Sequence, residues 1–525
     1  MGRNGRARRG AASLKFVLTT YVMFFGVYAL VSPGRFYSGD TEQKLRVAES
    51  IVAGEGVLLK SSGWWKRPDG LTYSQFPIGH SLLFVPFVAV GRALGHMTGH
   101  EAILAESAVA SVLNPLATAG CCTIIVVLLA GVGYPLRASL VTAMLIGFAT
   151  IVAPYAKTGW TEPVCALCLV GGVGALAACQ RGAGLAAWAA AGICAGVLPT
   201  LRLEQTAVAL VLVGAGCGIL WLRRGGADGP PRFIAAALLV LPLLLGVCLD
   251  LWYNVARTGE WLNFGYVVSG GAEPAAPGER VFHYRRAYVA ATQLISPGKG
   301  LIVYSPAVLP ALWGWRAFLG RPIGRLALAL VIATVLMLWT LRAMTSWAWG
   351  PRYLVPIVPL VALPLVEIVT RWREASGARR AVTVALVIAG VTINLVPICV
   401  SHQFIFEAIH RDLGKPDVET FMAAVRWSPR YAPLVYGIRL LPEHGANSLR
   451  VATGQTPSRN PTELMGAEDG IHRHVLDFWW VYALLFGAPP VVVAGALAAA
   501  AGVTAAAAAG AFRALRAQSA AGQVQ

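Results

Sequence analysis

The sequence predicts an all-α, polytopic membrane protein with about twelve spans. Of its 525 residues 56% are hydrophobic and only 13% are charged, and the mean hydropathy is +0.62, far from the composition of a soluble globular domain. Apolar runs of roughly 20 residues, long enough to cross a bilayer, recur from end to end, at 14–31, 233–252, 326–341 and 381–400 among others. The nine cysteines all fall in or at the ends of such runs, as small packing residues rather than a disulfide framework. Cys165-x-x-Cys168 has a redox or zinc spacing, but inside a span and without a second ligand pair it reads as packing.

Taken from the start, the basic residues Arg3, Arg6, Arg8 and Arg9 precede an apolar run that is too long for a signal peptide and has no Ala-x-Ala site, so this run reads as an uncleaved first helix. The net charge of +18 then has to be sorted by membrane side, and the segment Pro77 to Gly95 sets the parity. If it spans, the loops with Arg223, Arg224 and Arg232, with Arg316, Arg321 and Arg325, and with Arg371, Arg373, Arg379 and Arg380 all fall outside, against the positive-inside rule. If it lies along the outer surface as a juxtamembrane helix, those loops become cytoplasmic, with Arg137, Arg181, Arg513 and Arg516. The second arrangement is preferred. Its spans are roughly 14–32, 102–130, 137–154, 162–179, 185–200, 206–222, 233–252, 300–315, 325–341, 353–370, 380–400 and 477–512, the last long and broken or tilted.

Both termini are then cytoplasmic, and all nine histidines and nearly all carboxylates face outward. The expected organisation is an N-terminal transmembrane module (1–252) whose first outer loop (33–101) is catalytic, then an outer loop or lid (253–299), a C-terminal transmembrane module (300–400), a small external cap (401–476), and a last helix with a cytoplasmic tail (477–525). No P-loop or nucleotide-binding Rossmann signature is present.

Short outer turns carry Lys157, Arg202, Arg342 and Arg352 against the orientation rule, and Lys299 closes the outer loop. Either these cations snorkel to lipid headgroups, or they hold an anionic group such as a phosphate at the outer face. Asp40 and Glu42 follow the first span directly. Asp40 is placed as the N-cap of the next helix, as a general base, or as both. Glu162 precedes Pro163 at a helix start, where an acid is favoured by the dipole. Trp347 and Trp349 fit an interfacial belt or a sugar-stacking platform.

These parts, Gly39-Asp40-Thr41-Glu42, the segment Tyr73-Ser74-Gln75-Phe76-Pro77-Ile78-Gly79-His80, the turn Pro154 to Pro163 and the Gly350-Pro351-Arg352-Tyr353 turn, together resemble the GT-C superfamily of membrane glycosyltransferases. The likeness is to bacterial relatives of the protein O-mannosyltransferases and to the lipid A aminoarabinose transferase. The resemblance implies a GT-C fold with juxtamembrane helices in the first outer loop. It also implies a polyprenyl-phosphate sugar donor, a lipid, glycan or protein acceptor, and a place in the bacterial inner membrane with the active site extracytoplasmic. On that reading Asp40 is the base and Glu42 and Glu162 are further acidic site residues. Lys157, Arg202, Lys299, Arg342 and Arg352 bind the donor phosphate, and Tyr73, His80, His283, Tyr284, Trp347 and Trp349 contact substrate. The Asp40-Thr41-Glu42 spacing is closer to the D-x-D of the oligosaccharyltransferase branch, and a divalent cation (Mg or Mn) held by Asp40 and Glu42 stays open. Two alternatives stand beside the transferase: a transporter or flippase for lipid-linked sugars, which should keep its ionisable residues near mid-membrane, and an oligosaccharyltransferase or ligase using a diphosphate-linked donor.

Overall fold

The computed structural model describes residues 13–59, 65, 66, 70, 72–99, 102–222, 231–264, 286–340, 347–456 and 470–523. His283, Tyr284 and Arg342 lie outside the described residues. The architecture is helical, with one two-stranded antiparallel pair, Trp65–Lys66 with Thr72–Tyr73. In the first half the helices are α1 (Leu14–Leu30), α2 (Gly39–Val52), α3 (Gly79–Thr98), α4 (Ala102–Ala110), α5 (Leu113–Gly131), α6 (Leu136–Ala149), α7 (Val152–Tyr155), α8 (Glu162–Gln180), α9 (Leu185–Leu201), α10 (Gln205–Leu222) and α11 (Arg232–Thr258). Among the described residues nine helices are long and apolar enough to cross a membrane by length and composition, and α1, α6 and α9 are shorter apolar helices.

Local chemistry explains most boundaries. Ser13 caps α1 by accepting from the Phe16 N–H at 3.2 Å, and Pro163 sits in the first turn of α8, where its missing N–H costs nothing. Between helices the lipid supplies no hydrophobic drive, so close backbone approach and dispersion hold the bundle. The contact of α9 with α11 shows this: a Cβ on Gly196 would stand 2.2 Å from the Pro242 carbonyl oxygen, and one on Gly246 would stand 2.0 Å from that of Gly196. α1 packs on α5 and on the last helix, Pro490–Gln523.

Five expected spans are divided: 102–130 into α4 and α5, 137–154 into α6 and α7, and three more. Residues 300–315 form no single span: Pro306 and Pro310 divide the region into Leu301–Tyr304, a 3-10 turn Pro306–Val308 and Ala311–Phe318. Pro351, Pro356, Pro359 and Pro364 likewise divide 352–370 into a 3-10 helix Arg352–Ile357 and two short α-helices, Val358–Ala362 and Leu365–Thr370. The 477–512 segment breaks between Trp479–Leu485 and the final helix. The Pro77–Gly95 region is a 20-residue apolar helix, α3, with Pro86 inside it. It packs against α2 and α4.

Among the described residues of 401–476 are three α-helices, His402–Asp412, Val418–Trp427 and Pro433–Ala452. Pro416 lies between helices, Pro429 and Pro433 lie at helix starts, and Pro442 lies inside the third helix. Phe406, Phe421 and Val425 join the main buried cluster, so this region extends the core of the bundle.

Candidate active site

α2 begins at Gly39 with Ser38 as its N-cap residue, which corrects the expectation that Asp40 is the cap. The Ser38 carbonyl accepts the N–H groups of Thr41 and Glu42 at 2.9 and 3.0 Å. Asp40 therefore lies in the first turn, where the helix dipole favours its negative charge. Its carboxylate, 35% exposed, accepts from the Arg352 guanidinium at 2.8 Å. Arg352 also pairs through Nε with Glu162 at 2.6 Å, and Glu162 is fully buried. From there the chain of charges continues: Arg202, directly after α9, reaches Glu162 at 2.5 Å and pairs with Glu204.

The network thus joins the N-termini of α2 and α8, the C-terminus of α9 and the Gly350-Pro351 turn. Gly159 permits this closeness, since a Cβ there would lie 2.0 Å from Thr41 Cγ2. Asn114 fixes the same turn by donating to the carbonyls of Thr158 at 2.5 Å and Trp160 at 2.8 Å. The Arg352 guanidinium lies 4.1 Å over the Trp160 ring, and the Arg202 guanidinium 4.5 Å over Tyr353.

Lys44 completes the cluster. It is one helical turn from Asp40 and so on the same face, is buried, and has its ammonium 4.7 Å over the Phe76 ring. No ion pair or hydrogen bond engages it among the described residues. Burial pulls its pKa down to about 8, with Asp40 pulling the other way. Burial also pushes Asp40 up, but Arg352, Lys44 and Arg202 outweigh it and hold its carboxyl below the usual range. Three carboxylates (Asp40, Glu162, Glu204) therefore face three cations (Lys44, Arg202, Arg352). The second oxygen of Glu162, Oε2, is buried without a hydrogen-bond partner among the described residues.

Of the residues singled out in the sequence, Asp40, Glu162, Arg202 and Arg352 meet directly. Glu42 turns away: two positions along α2 from Asp40, it is 63% exposed and pairs with Arg46 at 3.5 Å. As placed, Asp40 and Glu42 do not converge on one cation. His80 is buried on α3, edge-on to Phe84 at 4.5 Å. Tyr73 is buried on the second strand. Lys157 is drawn to Asp477 at 2.8 Å. Lys299 is buried, donates to the Ala348 carbonyl and lies 4.5 Å over Phe406. Trp347 packs on Phe406, His410 and Phe421, and Trp349 packs edge-on to Tyr304.

Sequence reasoning grouped Lys44 with Asp40 and Glu42 at the membrane surface without giving it a step, and assigned no role to Glu204, Trp160 or Asp477. For Lys44 the i, i+4 relation to Asp40 was a usable signal, and Glu204 stands two residues from Arg202. Asp477 offers little local signal, because its partners Lys157 and Tyr37 are 320 and 440 positions away.

No family model matches the chain, and no curated protein matches it. Among solved structures, it is similar to ArnT from Cupriavidus metallidurans in the apo state, with 16% identity over 84% of this chain and 80% of that one and a TM-score of 0.44. It is also similar to ArnT bound to undecaprenyl phosphate, at 15% identity with the same coverage and a TM-score of 0.43. A third similar structure is the Archaeoglobus fulgidus oligosaccharyltransferase in the apo form, at 12% identity over 77% of this chain and 58% of that chain, with a TM-score of 0.41.

Proposed function

We propose that this protein is a membrane glycosyltransferase of the GT-C type that moves a hexosyl or pentosyl group from a polyprenyl-phosphate donor to an acceptor hydroxyl. The reaction is assigned to the outer face of a bacterial cytoplasmic membrane. The observation that carries the reading is the Asp40–Arg352–Glu162–Arg202 network at helix ends, with the buried Lys44 ammonium, which has no ion pair or hydrogen bond among the described residues, on the face of α2 that carries Asp40.

Asp40 takes the proton of the acceptor hydroxyl as its oxygen attacks the anomeric carbon. The bond from that carbon to the phosphate oxygen breaks, and its electron pair leaves with the polyprenyl phosphate. Charge grows on the phosphate as this happens, so cations beside it act most strongly in the transition state. Lys44 has no ion pair to give up among the described residues. Arg352 is shared, and a phosphate that draws it away from Asp40 relieves the contact that holds Asp40 in its weakly basic state.

Purified protein in lipid nanodiscs, given polyprenyl-phosphate sugars and membrane extract as acceptor, should release polyprenyl phosphate and form a glycosylated product detected by mass spectrometry. Translocation of the donor without release of polyprenyl phosphate would replace this reading with a transporter.

The role of Lys44 predicts a pH dependence. Its ammonium is half lost near pH 8, so apparent donor affinity should fall as pH rises through that value. Lys44→Arg, whose guanidinium stays charged, should flatten that limb; a limb unchanged in Lys44→Arg assigns it to another group.

The assigned sidedness is tested with single cysteines at the exposed positions Ser376 and Ala446 in a background without accessible thiols. An impermeant maleimide should label Ala446 and spare Ser376 in intact cells. Labelling of Ser376 from outside would reverse the parity and make α3 a span.

A further inference from the structure

A second buried ionic cluster adjoins the first and has no part in the chemistry above. Its centre is Asp477, 2% exposed. The carboxylate pairs with Lys157 Nζ at 2.8 Å and accepts from the hydroxyls of Tyr37 and of Tyr482, the latter at 3.0 Å. Lys157 also donates to the carbonyls of Ile398 at 2.8 Å and Asp477 at 2.6 Å. The Arg35 guanidinium lies 4.3 Å from the centre of the Tyr37 ring and 4.4 Å from that of Tyr482. Two main-chain bonds add to this: the Asp477 N–H to the Cys399 carbonyl and the Trp479 N–H to the Ser32 carbonyl, both 2.8 Å. One carboxylate thus ties three segments, around Tyr37, Lys157 and Asp477 itself, with Tyr37 and Asp477 440 positions apart.

From this centre each arm is one step from the candidate site. Tyr37 precedes Ser38, whose carbonyl opens the first turn of α2 and whose hydroxyl accepts from Trp160 Nε1 at 2.9 Å. Lys157 leads into Thr158–Trp160, and the Trp160 ring lies under Arg352. Residues 32–38 form neither helix nor strand. The position of Asp40 relative to α1 therefore depends on side-chain contacts, and Asp477, through Tyr37, supplies a buried ionic one.

We propose that Asp477 is a positioning residue of the transferase site, holding Asp40 and Arg352 at reacting distance through Tyr37 and Lys157 while touching neither; the proposal rests on the transferase reading above. Small misplacement of reacting groups costs far more rate than stability, which separates this role from that of a buried ion pair that only holds the fold together.

The test uses the full-length protein in nanodiscs and two variants. Asp477→Asn removes the charge and keeps the shape; Tyr37→Phe removes one hydroxyl and keeps the ring on Arg35. Donor turnover and amide hydrogen exchange are measured for each. Asp477→Asn should lower kcat on the order of 10- to 100-fold with donor KM within about threefold. Exchange should accelerate over 33–44 and 155–160 and stay at parent rates over 113–131. Tyr37→Phe should shift both readouts the same way and less, and it carries the test alone if Asp477→Asn fails to insert. Parent-level kcat overturns the proposal, as does exchange accelerated throughout the molecule. If the parent itself turns over no polyprenyl-phosphate sugar, the transferase reading fails, and local exchange alone decides whether Asp477 holds the 33–44 segment.

Discussion

Asp40→Asn is expected to abolish most transfer while leaving the protein inserted and folded. The amide is isosteric and still accepts from Arg352, whose guanidinium lies 2.8 Å from the carboxylate, so the network keeps its geometry. What disappears is the proton acceptor. General-base catalysis typically contributes about 10²–10⁴ in rate, and the loss should fall on kcat with donor KM little changed. Because cations hold the Asp40 carboxyl below its usual range, the parent should stay active well into mildly acidic pH. Activity of Asp40→Asn within a few-fold of the parent, measured with a polyprenyl-phosphate sugar, removes Asp40 from the mechanism.

Arg352→Ala should have an effect of similar size for a different reason. One charge-assisted contact to phosphate is worth about 1.5–3 kcal/mol. A second cost arises inside the protein, because Arg352 also pairs with the fully buried Glu162. Removing one partner of a buried pair typically costs about 3–5 kcal/mol. Here Arg202 remains 2.5 Å from Glu162 and offsets part of that cost. Arg352→Ala should therefore lower kcat and raise donor KM together, and lower thermal stability modestly. Arg352→Lys keeps the charge and loses the fork that spans Asp40 and Glu162, so it should restore stability more fully than turnover. Unchanged donor kinetics in both variants would leave Arg352 as a structural bridge between α2 and α8.

The two variants test different parts of one neutral cluster. Three acids and three cations balance in the resting site, so an arriving phosphate adds negative charge and competes with the carboxylates for these cations. The Asp40–Arg352 contact fits that exchange, because Asp40 is 35% exposed whereas Glu162 is fully buried: an exposed carboxylate regains water when its guanidinium leaves.

The sequence by itself determined the helical, membrane-spanning character of the chain and the start of α8 at Glu162-Pro163, and marked the last long segment as broken or tilted. These depend on residues that are neighbours along the chain, where hydrophobic run length, proline and helix-end electrostatics act. It also singled out Asp40, Glu162, Arg202 and Arg352, because charges at the ends of apolar runs stand out against their surroundings. Only the tertiary structure decided which of those charges meet. Arg352 and Asp40 are 312 positions apart, and their contact follows from how α2, α8, α9 and the Gly350-Pro351 turn pack. Lys157 and Arg202 look alike in sequence, as single cations in short outer turns, yet Lys157 goes to Asp477 and Arg202 to Glu162. A buried cation goes to the carboxylate that packing brings within hydrogen-bond reach, and that distance is a property of helix contacts that no local pattern encodes.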